Sequence, residues 1–139
     1  MLVKQLSVFM ENRPGRLYSL TQTLGKKGID LVTLSIADTQ DYGIVRFIAR
    51  DNDKAYSVLK EAGFMVSQTE LIGIEVPDSP NALANVISLL EAENINIEYL
   101  YSFFSNHNAA KILMRVKDTE IALKILQSNG IKLLSENIL

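Results

Sequence analysis

The chain has 139 residues, of which 47% are apolar and 22% charged, a composition typical of a globular protein with room for one ordinary domain or two small ones. Its net charge of -2 provides no basic field that would attract nucleic acid or an anionic membrane. With no cysteine, no apolar run long enough to span a membrane and no signal peptide pattern, we expect a cytoplasmic protein without disulfides or thiolate chemistry.

The first half of the chain predicts a β-α-β-β-α-β order. Apolar residues alternate up to Met10, as in a strand, whereas Leu17, Leu20 and Leu24 recur at helical spacing after Pro14. Pro14 is expected at the first helical position, where no intrahelical partner exists for the N–H that it lacks. The other predicted elements are strands over residues 29–38 and 44–49, a helix between Asp51 and Gly63, and a strand over 64–69.

The second half repeats this order at a nearly constant offset. Pro80 follows Pro14 by 66 positions and Gly130 follows Gly63 by 67, so one residue is inserted near the central hairpin tip, where insertions are tolerated. A period of this length indicates a duplicated small domain and not a solenoid repeat. The elements predicted for this copy are a strand over 71–76, a helix capped by Ser79 and opened by Pro80, strands over 95–104 and 109–116, a helix between Asp118 and Gly130, and a strand over 131–134.

Two such units, at residues 1–70 and 71–139, define the predicted fold class. Strands joined by crossover helices on one side form a four-stranded antiparallel sheet with both helices on one face, which is the ferredoxin-like α+β arrangement. Because a unit of this size buries little core by itself, we expect the two units to pack together.

The side chains that carry most enzyme chemistry are scarce. His107 is the single histidine, and at a predicted hairpin tip it is explained as a solvated turn residue, with ligand contact as the alternative. The chain offers neither a set of zinc ligands nor a recognisable Ser-His-Asp arrangement, and its glycines form no phosphate-binding pattern. We therefore predict a protein that is not an enzyme and holds neither metal nor cofactor.

RNA binding is an alternative because it shares the predicted topology. The RNA-recognition motif is also β-α-β-β-α-β and stacks bases on aromatic residues of two central strands, where this chain has Phe9 and Tyr42. Ile44 replaces the middle aromatic of the third-strand motif, the second copy lacks both aromatics, and the net charge is negative. Apart from this alternative, we expect no nucleic acid and no membrane among the partners.

The segment between the first strand and the first helix is the main candidate site. A polar residue followed by proline is explained by helix initiation alone. Gly15 adds a second property, because a residue without a Cβ leaves the first helical turn open, with unpaired N–H groups and a dipole that favours a carboxylate. Asn81 occupies the matching position in the second copy, which weakens the second loop as an equal site.

With this loop, the repeated element order and Gly28-Ile29-Asp30-Leu31 after the helix, nearly the whole chain resembles a tandem pair of ACT domains, small regulatory modules of amino-acid metabolism. The resemblance implies that a free amino acid binds at the interface between two such domains. The loop after the first strand would contact the ligand, and the second strand of the partner domain would form the opposite wall. The residues so selected are, in the loops, Asn12, Arg13, Pro14, Gly15, Arg16 and Leu17 with Ser79, Pro80, Asn81, Ala82 and Leu83, and, in the walls, Leu34, Ser35 and Ile36 with Leu100, Tyr101 and Ser102.

The resemblance further implies a non-catalytic sensor that acts on a metabolic enzyme or another regulator in trans, and a homodimer is compatible with it. Tyr99, Tyr101 and Phe103 recur at strand spacing and are expected in an interface or core more than at the ligand. The alternatives are a protein-docking subunit without a small ligand and an RNA-binding module of the kind described above.

Overall fold

The computed structural model describes residues 2–38, 41–103 and 109–135, and by their contacts these fall into two compact units. The first unit comprises residues 4–69, and the second comprises Leu2 and Val3 with the residues from Glu70 onward. The chain passes from the first unit to the second inside a strand. The elements that begin in the first half are β1 (Leu2–Glu11), α1 (Arg16–Lys26), β2 (Leu31–Asp38), β3 (Tyr42–Ala49), α2 (Asn52–Glu61) and β4 (Met65–Pro77).

The second half continues with the same alternation of helices and strands. Its elements are α3 (Ala82–Ala92), β5 (Ile97–Phe103), β6 (Ala109–Val116), α4 (Thr119–Ser128) and β7 (Lys132–Leu133). The strand order is β2-β3-β1-β4 in the first unit and β7-β4-β6-β5 in the second. The chain is thus an α+β protein built from two βαββαβ units with antiparallel pairing, as the sequence predicted.

Each unit has its own apolar core, which alternate residues of its strands form together with one face of each helix. In α1, Leu20 and Leu24 are fully buried, and in α3 the buried residues are Val86 and Leu90. Buried residues are expected at every second position of a strand and at every third or fourth position of a helix when helices pack on one face of a sheet. The core of the first unit includes Leu6, Val8, Val45, Phe47 and Leu59, and that of the second includes Ile72, Ile74, Met114, Ala122 and Leu126.

The helices begin in two different ways. Asp51 caps α2 through a hydrogen bond from the Lys54 N–H to its Oδ1 at 3.0 Å, and Asp118 caps α4 in the same manner from Ile121 at 3.2 Å. In contrast, α1 and α3 have left-handed N-cap residues, Gly15 and Asn81, and neither receives a side-chain cap. Each unit therefore contains one helix with a side-chain cap and one helix without it.

Several predicted boundaries were wrong. The strands predicted over residues 64–69 and 71–76 are parts of the single strand β4, which begins at Met65. Pro14 and Pro80 lie in the turns before α1 and α3 and not at their first positions, and Ser79 is not the N-cap of α3. Leu17, predicted on the inner face of α1, is exposed. The predicted turn at 105–108 with His107, the strand end at Phe104, and residues 39 and 40 of the first hairpin tip lie outside the described residues.

Gly73 in β4 occupies a position that has no room for a side chain. A Cβ there would lie 3.0 Å from the Cβ of Leu134, 3.2 Å from Cγ2 of Val3 and 3.4 Å from Cδ2 of Leu113. The backbone of Leu134 is held in place, because its N–H donates to the Gly73 carbonyl at 2.8 Å.

We predict that Gly73→Ala lowers the free energy of unfolding by about 1–3 kcal/mol, the usual cost of overpacking a closed site. Gly43→Ala is the matched control, since the one atom among the described residues that its Cβ would meet is the Ala37 carbonyl oxygen, at 3.9 Å. Urea unfolding of the two variants measures the difference. Equal losses would show that crowding is not the cause.

The two kinds of helix start lead to a second stability prediction. Asp51→Ala removes a side-chain acceptor from the first turn of α2 and should cost about 1 kcal/mol. Ser79→Ala should cost almost nothing, because α3 begins at Asn81 without a side-chain cap. Thermal unfolding of both variants tests this, and a comparable loss for Ser79→Ala would restore serine as a cap.

Candidate functional site

The loops before α1 and α3 have nearly the same backbone geometry. Gly15 has φ 93° and ψ -23°, and Asn81 has φ 71° and ψ -8°. The hydrogen bonds agree pair by pair: Arg16 N–H to the Arg13 carbonyl at 3.4 Å matches Ala82 to Ser79 at 3.3 Å. Asparagine is among the few residues other than glycine that adopt the left-handed region readily. The substitution at position 81 therefore preserves the loop shape, and the difference between the two loops lies in their side chains.

These side chains give the loops different charges. The first loop carries two arginines, whereas Ser79 and Ala82 stand at the matching positions of the second. The Nε of Arg13 forms an exposed ion pair with Glu11 at 3.0 Å, an interaction worth little in solvent. Arg16 lies across the ring of Phe64, with its guanidinium carbon 5.6 Å from the ring centroid.

The start of α1 leaves polar groups available to a ligand. The first helical hydrogen bond runs from the Ser19 N–H to the Gly15 carbonyl at 2.9 Å, so the N–H groups of Leu17 and Tyr18 precede any intrahelical acceptor. No side-chain cap and no acidic residue in the first turn offsets the helix dipole, and both statements also hold for α3. By contrast, α2 and α4 have both a capping aspartate and an acidic first turn.

The predicted wall in the first unit lies on the edge strand β2. Leu34 and Ile36 pair with the core residues Phe47 and Val45, so they point to the helix side of the sheet, yet they are 43% and 50% exposed. Ser35 points to the opposite face and is half-buried. Asp38 is opposite Gly43, which places the end of β2 at the same end of the sheet as the loop after β1.

The predicted wall in the second unit is less accessible. Leu100 packs against the core of that unit, which gives it a structural role, while Ser102 is exposed. Tyr101 is half-buried on the other face of β5, together with Tyr99 and Phe103. The assignment of the loop and wall residues to a binding site stays a prediction.

Phe9 and Tyr42 form an exposed aromatic pair on the face of the β1–β3 strand pair that is opposite the core residues Val8 and Val45. Their ring centroids are 5.1 Å apart at an interplanar angle of 18°, and the side chains are 46% and 48% exposed. The residues named for the RNA alternative thus lie together on the face where an RNA-recognition motif would stack bases. The same arrangement is equally suited to contact with a protein.

Sequence reasoning missed the pairing of Arg16 with Phe64 and the cavity at the matching place in the second unit. That cavity, of about 570 Å³, is lined among others by Pro80, Ala82 and Ile131. Aligning the two copies could have revealed it, because Ala82 replaces Arg16 at an offset of 66 and Ile131 replaces Phe64 at an offset of 67. When two facing side chains are both replaced by smaller ones, open space is expected between the elements that carry them.

Two features are absent from the described part of the chain. Within residues 2–38, 41–103 and 109–135, no three histidine, aspartate or glutamate side chains cluster as metal ligands would. None of the helices in these ranges combines the length and apolar character that a membrane span requires.

The chain is similar to several proteins of known structure. A Bacteroides thetaiotaomicron protein is 43% identical with a TM-score of 0.92, and the match covers 98% of this chain and 94% of that one. The regulatory subunit of aspartate kinase from Thermus thermophilus, in its ligand-free form, is 15% identical with a TM-score of 0.63 and coverages of 93% and 94%. The corresponding subunit from Thermus flavus is 14% identical with a TM-score of 0.61 and coverages of 92% and 93%. At such identities the two kinase subunits show a shared fold alone.

No functionally curated protein matches the chain. The family model of the ACT domain pair matches residues 1–139, which is the whole sequence. Together with the two βαββαβ units and the 43% identical structure, this match identifies the chain as a member of the ACT domain pair family.

Proposed function

We propose that the protein is a non-catalytic sensor that binds a free amino acid at the uncapped helix starts after β1 and β4. The observation that carries the proposal is the repeated contrast between uncapped α1 and α3 and capped α2 and α4. A helix capped by aspartate already has an anion at its start, which accepts a hydrogen bond from one of the N–H groups of the first turn. In the two helices without such a cap, the N–H groups of the first turn remain available to a ligand.

The chemistry of this start suits the carboxylate of an amino acid. Unpaired N–H groups and the positive end of the helix dipole both favour an anion. In the first loop, the guanidinium groups of Arg13 and Arg16 add positive charge. The exposed apolar side chains of Leu34 and Ile36 are the proposed contacts for the ligand's side chain.

Regulation through a partner in trans is supported by the kind of protein that shares the fold. The structures similar to this chain include separate regulatory subunits of aspartate kinase. We therefore expect the amino-acid-bound form to act on a metabolic enzyme or another regulator.

A screen of the free amino acids by thermal unfolding tests the proposal. A ligand that binds only the folded form contributes roughly 2.7 kcal/mol at about 100 times its Kd, which should raise the midpoint by several degrees. The proposal fails if no free amino acid raises the midpoint at millimolar concentration.

Substitution of Gly15 tests the contribution of the first loop. Valine is strained at φ 93°, so Gly15→Val should distort the helix start, lower stability by about 1–3 kcal/mol and reduce the amino-acid-induced shift. Gly15→Asn is the control, since Asn81 already holds the same conformation, and it should keep both stability and binding. If Gly15→Val responds to amino acids as fully as the natural protein does, the first loop is not a binding site.

Protein docking without a small ligand is the second candidate function. It is favoured by the exposed Phe9 and Tyr42 pair and by the exposed apolar residues of β2. This candidate predicts no response to amino acids and a partner complex that is lost on Phe9→Ser. The amino-acid screen therefore separates the two candidates.

A further inference from the structure

A groove beside the helix start is formed by equivalent residues in both units. On one side stands the first helical residue, Arg16 or Ala82, held by matched hydrogen bonds at 3.4 and 3.3 Å. The other side is formed by the residue that follows the glycine after the second helix of each unit. This residue is Phe64 in the first unit and Ile131 in the second. Their N–H groups donate to the carbonyls of Leu59 and Leu126, each at 3.0 Å. The backbones that frame the groove are therefore the same, and only the side chains differ.

In the first unit, the protein fills this groove with its own side chain. Arg16 extends across the ring of Phe64 at 5.6 Å, in a cation–π arrangement. Its Nε is buried and has no hydrogen-bond partner among the described residues, and the contact seen for the side chain is its packing against the ring. The cost of an unsatisfied buried donor, about 1–3 kcal/mol, must be offset by that packing.

In the second unit, the same groove is open. Ala82 has no side chain that can reach across, and Ile131 offers a smaller wall than a phenyl ring. The resulting cavity has a volume of about 570 Å³, within the range of pockets that bind small molecules. Its apolar lining includes Val76, Pro77, Ala82, Val86 and Ile131.

The polar groups around this cavity carry both signs of charge. Lys132 and Glu75, which line it, form an ion pair at 2.5 Å, and the Lys132 side chain is largely exposed. Asn85 also lines the cavity and is exposed. An apolar pocket bordered by one cation and one anion matches a zwitterion with an apolar side chain.

We propose that this groove of the second unit binds a free amino acid with an aliphatic side chain, an inference that rests on the function proposed above. In the first unit, the equivalent groove holds the long side chain of Arg16 across the Phe64 ring. With isoleucine in place of phenylalanine, the second groove lacks the ring that favours a guanidinium, and its lining suits branched aliphatic groups. The ligand's ammonium and carboxylate would then meet Glu75 and Lys132 at the rim.

Methyl NMR of the full chain, titrated with valine, leucine and isoleucine, tests the assignment. The methyl signals of Val86 and Ile131 should shift saturably with these ligands and little with aspartate or lysine. Ala82→Arg, which supplies the side chain that closes the first groove, should weaken this binding by about tenfold or more. Ala84→Arg is the matched control, because Ala84 is exposed on the same helix outside the cavity lining, and it should leave binding within about twofold.

The possible results separate this assignment from the function on which it rests. If an amino acid raises the melting midpoint while the Val86 and Ile131 methyl signals stay unmoved, the groove assignment is overturned and the sensor function stands. If no amino acid affects either measurement, both are overturned. Should Ala82→Arg fail to fold, the titration of the natural protein alone decides between these results.

Discussion

The left-handed residue before α1 and before α3 is the constraint on which the candidate site depends. Gly15 and Asn81 turn the chain from strand to helix without a side-chain cap, so that the first helical turn begins with N–H groups that the helix itself cannot satisfy. The same turn places Arg16 and Ala82 at the wall of the neighbouring groove. Had either helix started with an aspartate, as α2 and α4 do, the positive end of its dipole would have been occupied from within the chain. The open start and the groove are thus two results of one backbone conformation.

The repeat was enough to predict the fold, because the apolar periods of strands and helices recur at a fixed offset and both copies must bury the same faces. Helix starts were harder to predict. Proline before a helix is compatible with more than one position, and only the backbone angles show that Gly15 and Asn81 are the caps. Asn81 adopts the same left-handed conformation as Gly15, so the two loops differ in their side chains and not in their backbone, and their unequal roles in binding stay a prediction. The contact between Arg16 and Phe64 joins residues far apart in the sequence, and no local pattern in one copy predicts it.

Duplication has left the two units with the same backbone and different surfaces. Among the described residues, the large apolar side chains that stay exposed are Phe9, Leu17, Tyr18, Leu34, Ile36, Tyr42 and Met65 in the first unit and Ile121 in the second. The first unit therefore exposes large apolar side chains and fills its groove with Arg16. The second buries most of its large apolar side chains and has an open groove. Such a difference is available to a duplicated domain, because each copy can lose a property that the other retains.

The crowding around Gly73 also has a consequence for the order in which the chain folds. Val3 and Leu134, near opposite ends of the sequence, both approach this glycine within the second unit. The first unit needs only a continuous segment, residues 4–69, and all of it has been synthesised when the second half begins to emerge. The contacts of Val3 and Leu134 around Gly73 join residues that are far apart in the sequence, so they form only after the chain has been made as far as Leu134. During translation, Leu2 and Val3 therefore remain without their final neighbours for longer than any other part of the N-terminal strand.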